Sequence, residues 1–304
     1  MNRWRARRPW GIWLGLLLAL VAWAGAGWAS LTVSRRLAGP PSDWPLTLGI
    51  FGLVVLTLTG FVVGGVVLYR VLSALTLHYR IDRNAVTIHW LGNTAVVPMN
   101  RIAGVTIGVQ ASRLPTMLAR SFGYRRGIGR TADGTPLVLF STAPLAQSIV
   151  LTTDTSAYVV SPHNRDGFVQ EIEERRNLGI VQGQQEGVVR TSRLSYAFWT
   201  EPGIWISLAL GLLFNLLLWA VLSARYTTLS DVLALRFDAT GTIVGTVPRE
   251  QILALPLIGL LVWLANAGLS MAVYRLSKVG AILLLVGAIV GQCLLAVSLW
   301  AAMR

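Results

Sequence analysis

The chain has 304 residues, of which 54% are hydrophobic and only 13% are charged. A mean hydropathy of +0.61 excludes an ordinary soluble protein, because so apolar a chain would leave much apolar surface exposed to water. The net charge of +13, from 26 Lys and Arg against 13 Asp and Glu, favours contact with anionic headgroups on the cytoplasmic side of a membrane over binding of nucleic acid.

Five apolar runs are each long enough to cross a membrane, which takes about 20 helical residues. None of the five contains a charged residue, and tryptophans flank several of them, as is typical of membrane interfaces. The predicted spans are Trp10–Leu31, Pro45–Tyr69, Gly203–Ala224, Leu253–Tyr274 and Val279–Met303.

The N-terminal segment has four arginines and no acidic residue before the first span. By the positive-inside rule, this bias places the N-terminus in the cytoplasm. A cleaved signal peptide is the alternative interpretation, since basic, apolar and small residues follow one another there. In either case residues 70–200 are predicted to be cytoplasmic, and residues 225–252 and the C-terminus to be external.

A few polar and small residues lie inside the predicted spans. We expect Asn215, Asn266 and Gln292 to form hydrogen bonds between helices rather than to bind a substrate. Since no ionisable side chain lies at mid-membrane depth, a proton-coupled transporter is disfavoured. Close approach of helices is the expectation at two glycine pairs, with chance occurrence as the alternative: Gly60 with Gly64, and Gly287 with Gly291.

After Arg70 the pattern changes to short alternating segments rich in β-branched and aromatic residues, which predicts strands. A helix over Asn164–Asn177 follows them, with Phe168 and Ile172 on one face. The seven predicted strands are Leu77–Asp82, Val86–Leu91, Thr94–Met99, Ile102–Val109, Pro136–Ser141, Ser148–Thr153 and Ala157–Ser161.

This segment resembles the bacterial pleckstrin-homology-like (PH-like) domains, in the variety that follows membrane helices. The resemblance rests on Tyr79–Asp82, Val97–Val105 and Ser161–Phe168, with the glycine-containing connection Gly123–Gly134 between them. It implies a seven-stranded β-barrel or sandwich capped by one helix, and no catalytic residue. The fold class expected for the whole chain is a membrane α-helical bundle plus this β domain.

The predicted external loop is similar to a short segment of Sdp-immunity-type membrane proteins. This chain has Ser230 and Arg236 where that segment has Pro and His, so a folded loop without a shared role is the alternative. The residues that carry the similarity are Tyr226, Leu229, Asp231, Leu235, Phe237, Asp238 and Gly241.

Five arginines in and beside the glycine-containing connection form the candidate binding site. Arginine makes bidentate contacts with phosphate oxygens, so these residues are candidates for binding lipid headgroups or a partner. The alternative is that they satisfy the positive-inside preference without selecting a ligand. The candidates are Arg113, Arg120, Arg125, Arg126 and Arg130.

The sequence offers no pattern for catalysis or metal binding. His78, His89 and His163 lack a second ligand at metal-binding spacing, and the single cysteine, Cys293, lies in an apolar run. Phosphate-binding loops and nucleophile elbows are also missing from the sequence. We therefore expect no enzyme activity, no catalytic residue, no metal and no cofactor.

The sequence favours a non-enzymatic protein of a bacterial inner membrane whose PH-like domain binds a protein or the lipid surface. A small transporter or an immunity-type membrane protein regulated by that domain is the alternative. The expected partners are membrane lipids, with a partner protein or a second copy as further options and no nucleic acid. The predicted organisation is a transmembrane hairpin at 1–69, a cytoplasmic PH-like domain at 70–178, a flexible linker at 179–200 and three C-terminal transmembrane helices at 201–304, with the external loop at 225–252.

Overall fold

Five long apolar helices and a β domain make up most of the chain in the computed structural model. All five helices are long and apolar enough to cross a membrane, so each of the five predicted apolar runs forms a helix. The structure describes residues 2–115, 118–178, 186–189, 198, 201–237 and 243–303. Its α-helices are α1 (Gly11–Arg36), α2 (Leu48–Thr76), α3 (Arg165–Asn177), α4 (Pro202–Arg225), α5 (Ala254–Val273) and α6 (Lys278–Ala302).

The second apolar helix continues beyond its predicted end at Tyr69. Its last turns carry Arg70 and then bury Val71 and Ala74 in the core of the β domain. Helical hydrogen bonding continues there because an amphipathic end can pack on the domain after the uniformly apolar stretch stops.

The strands of the described residues form three sheets. A five-stranded sheet has the order β1-β2-β3-β4-β11, a six-stranded sheet the order β5-β9-β10-β8-β7-β6, and β12 and β13 pair alone. All pairs are antiparallel except β8 with β10. The strands are β1 (Asn2–Arg5), β2 (His78–Ile81), β3 (Ala85–Trp90), β4 (Asn93–Pro98), β5 (Ile102–Ile107), β6 (Ala111–Arg113), β7 (Arg125–Thr131), β8 (Pro136–Ser141), β9 (Ile149–Thr153), β10 (Ala157–Val160), β11 (Gly187–Val189), β12 (Val232–Phe237) and β13 (Ile243–Pro248).

The predicted count of seven strands is wrong, and the strands do not close into a barrel. All seven predicted strands are present, as β2 to β5 and β8 to β10, but four further strands extend the two larger sheets. β1 comes from the N-terminus and β11 from residues inside the predicted linker. The helix count also differs, since short 3-10 helices such as Met99–Arg101 and Leu145–Gln147 connect strands in the described part of the chain.

One hydrophobic core lies between the sheets and α3, which begins at the predicted place. The side chain of Asn164 caps this helix by accepting a hydrogen bond from the backbone N–H of Gly167. Phe168 and Ile172 are completely buried on its inner face. At the centre, the hydroxyl of buried Tyr79 donates to the carbonyl of Phe140 at 2.8 Å. Burial raises the pKa of Tyr79 to about 12, so this hydroxyl stays a donor at physiological pH.

The chain divides into two compact units, one of residues 1–24 and 60–195 and one of residues 25–59 and 196–304. The first unit therefore includes the N-terminus and the end of α2 together with the β domain. The predicted boundaries instead assigned the whole stretch 1–69 to a separate hairpin.

Polar side chains connect three helices inside the second unit. Asn215 of α4 donates to the carbonyl of Pro256 at 2.9 Å and to the side-chain oxygen of Gln292 at 3.3 Å. Gln292 of α6 donates to the carbonyl of Gly259 at 2.7 Å. These two residues bond between helices as predicted. Asn266 does not, because it donates to the carbonyl of Val262 in its own helix.

The glycine pairs behave differently from one another. A Cβ atom at Gly64 would lie 2.4 Å from the ring of Trp23, so this glycine lets α1 and α2 approach closely. Gly287, by contrast, faces open space, with no neighbouring atom within 4 Å of where a Cβ would stand. The expected close approach is therefore found at Gly64 and not at Gly287.

The loop between α4 and α5 is a folded hairpin of β12 and β13 in the second unit. Arg249 and Asp231 connect the two ends of this hairpin. The guanidinium of Arg249 lies 3.5 Å from the carboxylate of Asp231, and the backbone N–H of Arg249 donates to the Asp231 carbonyl. Asp238 and Gly241, two of the residues similar to the Sdp-immunity-type segment, lie outside the described residues.

Candidate functional site

The glycine-containing connection lies against the first turn of α1 and the last turns of α2. A Cβ atom at Gly11 would stand 2.6 Å from the backbone of Phe122, and one at Gly123 would stand 2.6 Å from Pro9. Gly123 also has a φ of +72°, a conformation that favours glycine. The start of the connection therefore lies where α1 and α2 meet the β domain.

Arg126 is fixed between the domain and α2. Its guanidinium lies 4.9 Å from the centre of the Trp90 ring, a cation–π contact, and donates to the hydroxyl of Tyr69 at 3.1 Å. Tyr69 stands one residue before Arg70 in α2. A positive charge is thus held where the uncharged apolar stretch of α2 ends, which is where headgroups would lie if that stretch crosses a membrane.

Arg70 and Tyr124 form the inner part of the same site. Arg70 donates to the backbone carbonyl of Tyr124 at 2.9 Å, and its guanidinium lies 5.7 Å from the Tyr124 ring. Burial raises the pKa of Tyr124, so its hydroxyl remains a neutral donor. Three buried polar atoms here have no hydrogen-bond partner among the described residues: Arg70 Nε, Tyr124 Oη and Trp90 Nε1. Such atoms are where ordered water or a polar ligand group is expected.

Arg120 and Arg125 add charge beside this inner part. Arg125 donates to the carbonyl of Ala143 at 2.8 Å. Burial lowers the pKa of Arg125, and the nearby positive charge of Arg120 lowers it further. Arg120 is exposed. An anion bound between Arg120 and Arg125 would relieve the repulsion between their positive charges.

The other two candidates lie elsewhere. Arg113 and Arg130 are directly opposite each other on β6 and β7, and both are exposed. Arg130 is five residues beyond Arg125 along β7, a separation of roughly 17 Å. The structure therefore places Arg120, Arg125 and Arg126 around the start of β7, with Arg120 near Arg125 and Arg126 near Arg70, but it does not bring all five candidates together. We call Arg70, Arg120, Arg125 and Arg126 the junction site.

One exposed apolar side chain stands on the same face of β7 as Arg126. Ile128 is 70% exposed, and alternation along the strand directs Arg126, Ile128 and Arg130 to one side. An exposed apolar residue near Arg126 suits the boundary between headgroups and acyl chains.

Sequence reasoning missed Arg70, Tyr124 and Trp90 as members of the site. Arg70 was expected only to flank a span, although the helical pattern of Val71 and Ala74 beyond it could have indicated a longer helix. Trp90 and Tyr124 lie far apart in sequence, and no local signal brings them together.

The described residues contain no group of three or more His, Cys, Asp or Glu side chains that could hold a metal ion. His78 and His89 stack on each other at 4.9 Å instead of converging on a common point with acidic residues. The junction site consists of hydrogen-bond donors and positive charges, so its chemistry is that of anion binding.

Residues 77–176 match the family model described as a bacterial PH domain, which confirms the predicted resemblance to bacterial PH-like domains without distinguishing the variety that follows membrane helices. The match does not extend to the apolar helices or to the β12–β13 hairpin. No curated protein and no solved structure matches the chain. The chain thus combines a PH-like domain with five helices that are long and apolar enough to span a membrane.

Proposed function

We propose that this chain is a non-enzymatic integral membrane protein of a bacterial inner membrane, and that the junction site binds the phosphates of anionic lipid headgroups at the cytoplasmic face. The observation that carries the proposal is the position of Arg126, which contacts Tyr69 where the uncharged apolar stretch of α2 ends. A membrane-crossing helix ends where the headgroups lie, so the arginines of the site would meet phosphate without any movement of the domain.

The chemistry of the site supports the same ligand. Arg120 and Arg126 offer planar donors that fit phosphate oxygens, and the residues with buried unpaired atoms, Arg70 and Tyr124, lie near Arg126. Anionic lipid is present in great excess beside such a site. A basic residue near an anionic leaflet contributes about 1 kcal/mol, which corresponds to roughly fivefold in binding.

The cytoplasmic orientation is part of the proposal. β1 and β2 pair with each other, so the N-terminal arginines and the domain lie on the same side of any membrane that α1 and α2 cross. The positive-inside rule then favours the cytoplasmic side for both.

The experiment measures lipid selectivity of the full-length protein in nanodiscs. Energy transfer from tryptophan to trace pyrene-labelled phosphatidylglycerol is compared with transfer to pyrene-labelled phosphatidylcholine. We expect enrichment of the anionic probe that weakens with salt, and a loss of about tenfold in the double variant R120Q/R126Q.

Two control variants distinguish specific lipid binding from a general effect of positive charge and from misfolding. R113Q/R130Q removes the same number of charges from the same part of the domain and should change selectivity less than about threefold, because these residues lie away from α2. R120K/R126K keeps both charges but loses the planar donors and the contact of Arg126 with Trp90, so it should retain the selectivity only in part. Equal losses in both Gln variants, or none in R120Q/R126Q, would contradict the proposal. Solute flux that depends only on the helices would then favour the transporter or immunity-type alternative.

A further inference from the structure

A short strand outside the matched domain lies along the edge of its first sheet. In β11, Gly187, Val188 and Val189 pair antiparallel with Val96, Ala95 and Thr94 of β4, respectively. An edge strand presents unpaired N–H and C=O groups, which accept any extended segment of suitable pattern. Here a segment of the same chain, residues 186–189, occupies that edge.

The residue before this strand inserts its carboxylate into a pocket of the domain. One oxygen of Glu186 accepts hydrogen bonds from the hydroxyls of Thr153 at 3.0 Å, Tyr158 at 3.1 Å and Thr155 at 3.3 Å. The other oxygen accepts from Arg101 at 3.2 Å. The side chain of Glu186 is only 7% exposed. Three hydroxyls and a guanidinium thus surround one carboxylate.

All four donors lie within residues 77–176, so the pocket is a feature of the matched domain and the carboxylate comes from outside it. Two of these donors do not depend on Glu186 alone. Thr153 has a second acceptor in the carbonyl of Ser156 at 2.9 Å, and the side chain of Arg101 is 48% exposed. Tyr158 is buried, however, and its hydroxyl needs an acceptor in the pocket.

We propose that this pocket and the edge of β4 form a docking site for an extended acidic segment of a partner protein, and that residues 186–189 are its built-in occupant. The partner segment carries a Glu or Asp for the pocket, followed by a small residue and β-branched residues that pair with β4. Pairing gives affinity through the backbone, while the pocket selects the acidic residue. This function is separate from lipid binding at the junction site.

The test uses the full-length protein in nanodiscs and a labelled peptide with the sequence of residues 183–191. Removing the internal carboxylate in E186A weakens the built-in occupant, so the peptide should bind this variant at least about tenfold more tightly than the unaltered chain. E174A, which removes an exposed carboxylate of α3, is the matched control and should bind as the unaltered chain does. A peptide with Gln in place of its Glu should bind E186A about tenfold less tightly, and so should the double variant E186A/R101Q to the original peptide.

Hydrogen exchange in the unaltered chain provides a second readout that does not depend on a variant folding. At millimolar peptide, the amides of residues 187–189 should exchange faster while those of β4 remain protected, because one strand replaces another. The proposal is overturned by unchanged exchange at saturating peptide. It is also overturned if the peptide binds E186A no better than E174A, or if the Gln peptide binds as tightly as the original.

Discussion

His78 and His89 stand directly opposite each other on β2 and β3, with their rings stacked at 4.9 Å and nearly parallel. His78 Nδ1 bonds the carbonyl of Thr76 at 2.8 Å. Burial lowers the pKa of both histidines. For His89 the proximity of His78 adds to this effect, and the charges of Arg3 and Arg80 lower the pKa of both. The domain therefore holds this pair neutral.

This pair makes the stability of the domain depend on pH. Because the pKa of each histidine is lower in the folded than in the unfolded chain, the stabilisation is complete above the unfolded value of about 6.5 and is lost as pH falls through the lower folded values. Unfolding of the full-length protein in detergent should therefore shift to lower temperature below about pH 6.5. The variant H78Q/H89Q should lose this component, whereas H163Q should keep it. An identical pH profile for all three proteins would refute the interpretation.

The arginines of the junction site illustrate what a sequence can predict at the scale of residues. Composition and spacing identified Arg120, Arg125 and Arg126 as candidates together with Arg113 and Arg130. Composition and spacing could not separate Arg113 and Arg130 from the other three, because the glycines of residues 123–129 weaken the strand pattern of β7. It is the length of β7 that keeps the two groups apart. Pairing of β7 with β8 creates this strand, and such long-range pairing leaves little local signal.

Among the elements, β1 is the one whose importance the sequence least indicated. Residues 2–5 look like a basic leader before a span, yet they pair with β2 along its whole length. Trp4 donates from its indole nitrogen to the carboxylate of Glu171 at 2.7 Å and packs edge-on against Phe168. A strand of four residues with two arginines carries no detectable alternation, so only the available sheet edge determines its conformation.

Truncating Trp4 tests whether β1 belongs to the domain. W4A removes an aromatic contact with the core helix and a hydrogen bond, so we expect a loss of roughly 2–4 kcal/mol and faster hydrogen exchange in β2. W10A is the matched control, since Trp10 is 79% exposed and should leave exchange in β2 unchanged. Equal exchange in W4A and the unaltered protein would mean that β1 contributes nothing to the domain.

The five apolar helices and the seven strands predicted from the sequence are all present, because a continuous apolar run marks each helix and alternation marks each strand. The strands β1 and β11 were not predicted. They come from segments that the sequence assigned to the transmembrane hairpin and to the linker. Their positions depend on an open edge at β2 and at β4, which no local pattern encodes. Glu186 likewise lies in the predicted linker, and no pattern around it indicates the hydroxyls and the guanidinium that bind its carboxylate.

At the scale of the whole molecule, the excess of positive charge and the apolar helices both fit the proposed membrane protein. In our proposal lipid is the solvent for the helices, and the N-terminal arginines and the junction site stand on the side of the β domain. The central claim is that this side is the cytoplasm, where the anionic leaflet supplies the proposed ligand.

Labelling of single cysteines in bacterial spheroplasts tests that claim most directly. In a C293A background, S42C reports the exposed stretch between α1 and α2, and D133C reports an exposed turn of the β domain. Both are treated with a membrane-impermeant maleimide. The account predicts labelling of S42C in intact spheroplasts and of D133C only after permeabilisation. Labelling of D133C from outside, with S42C protected, would contradict it.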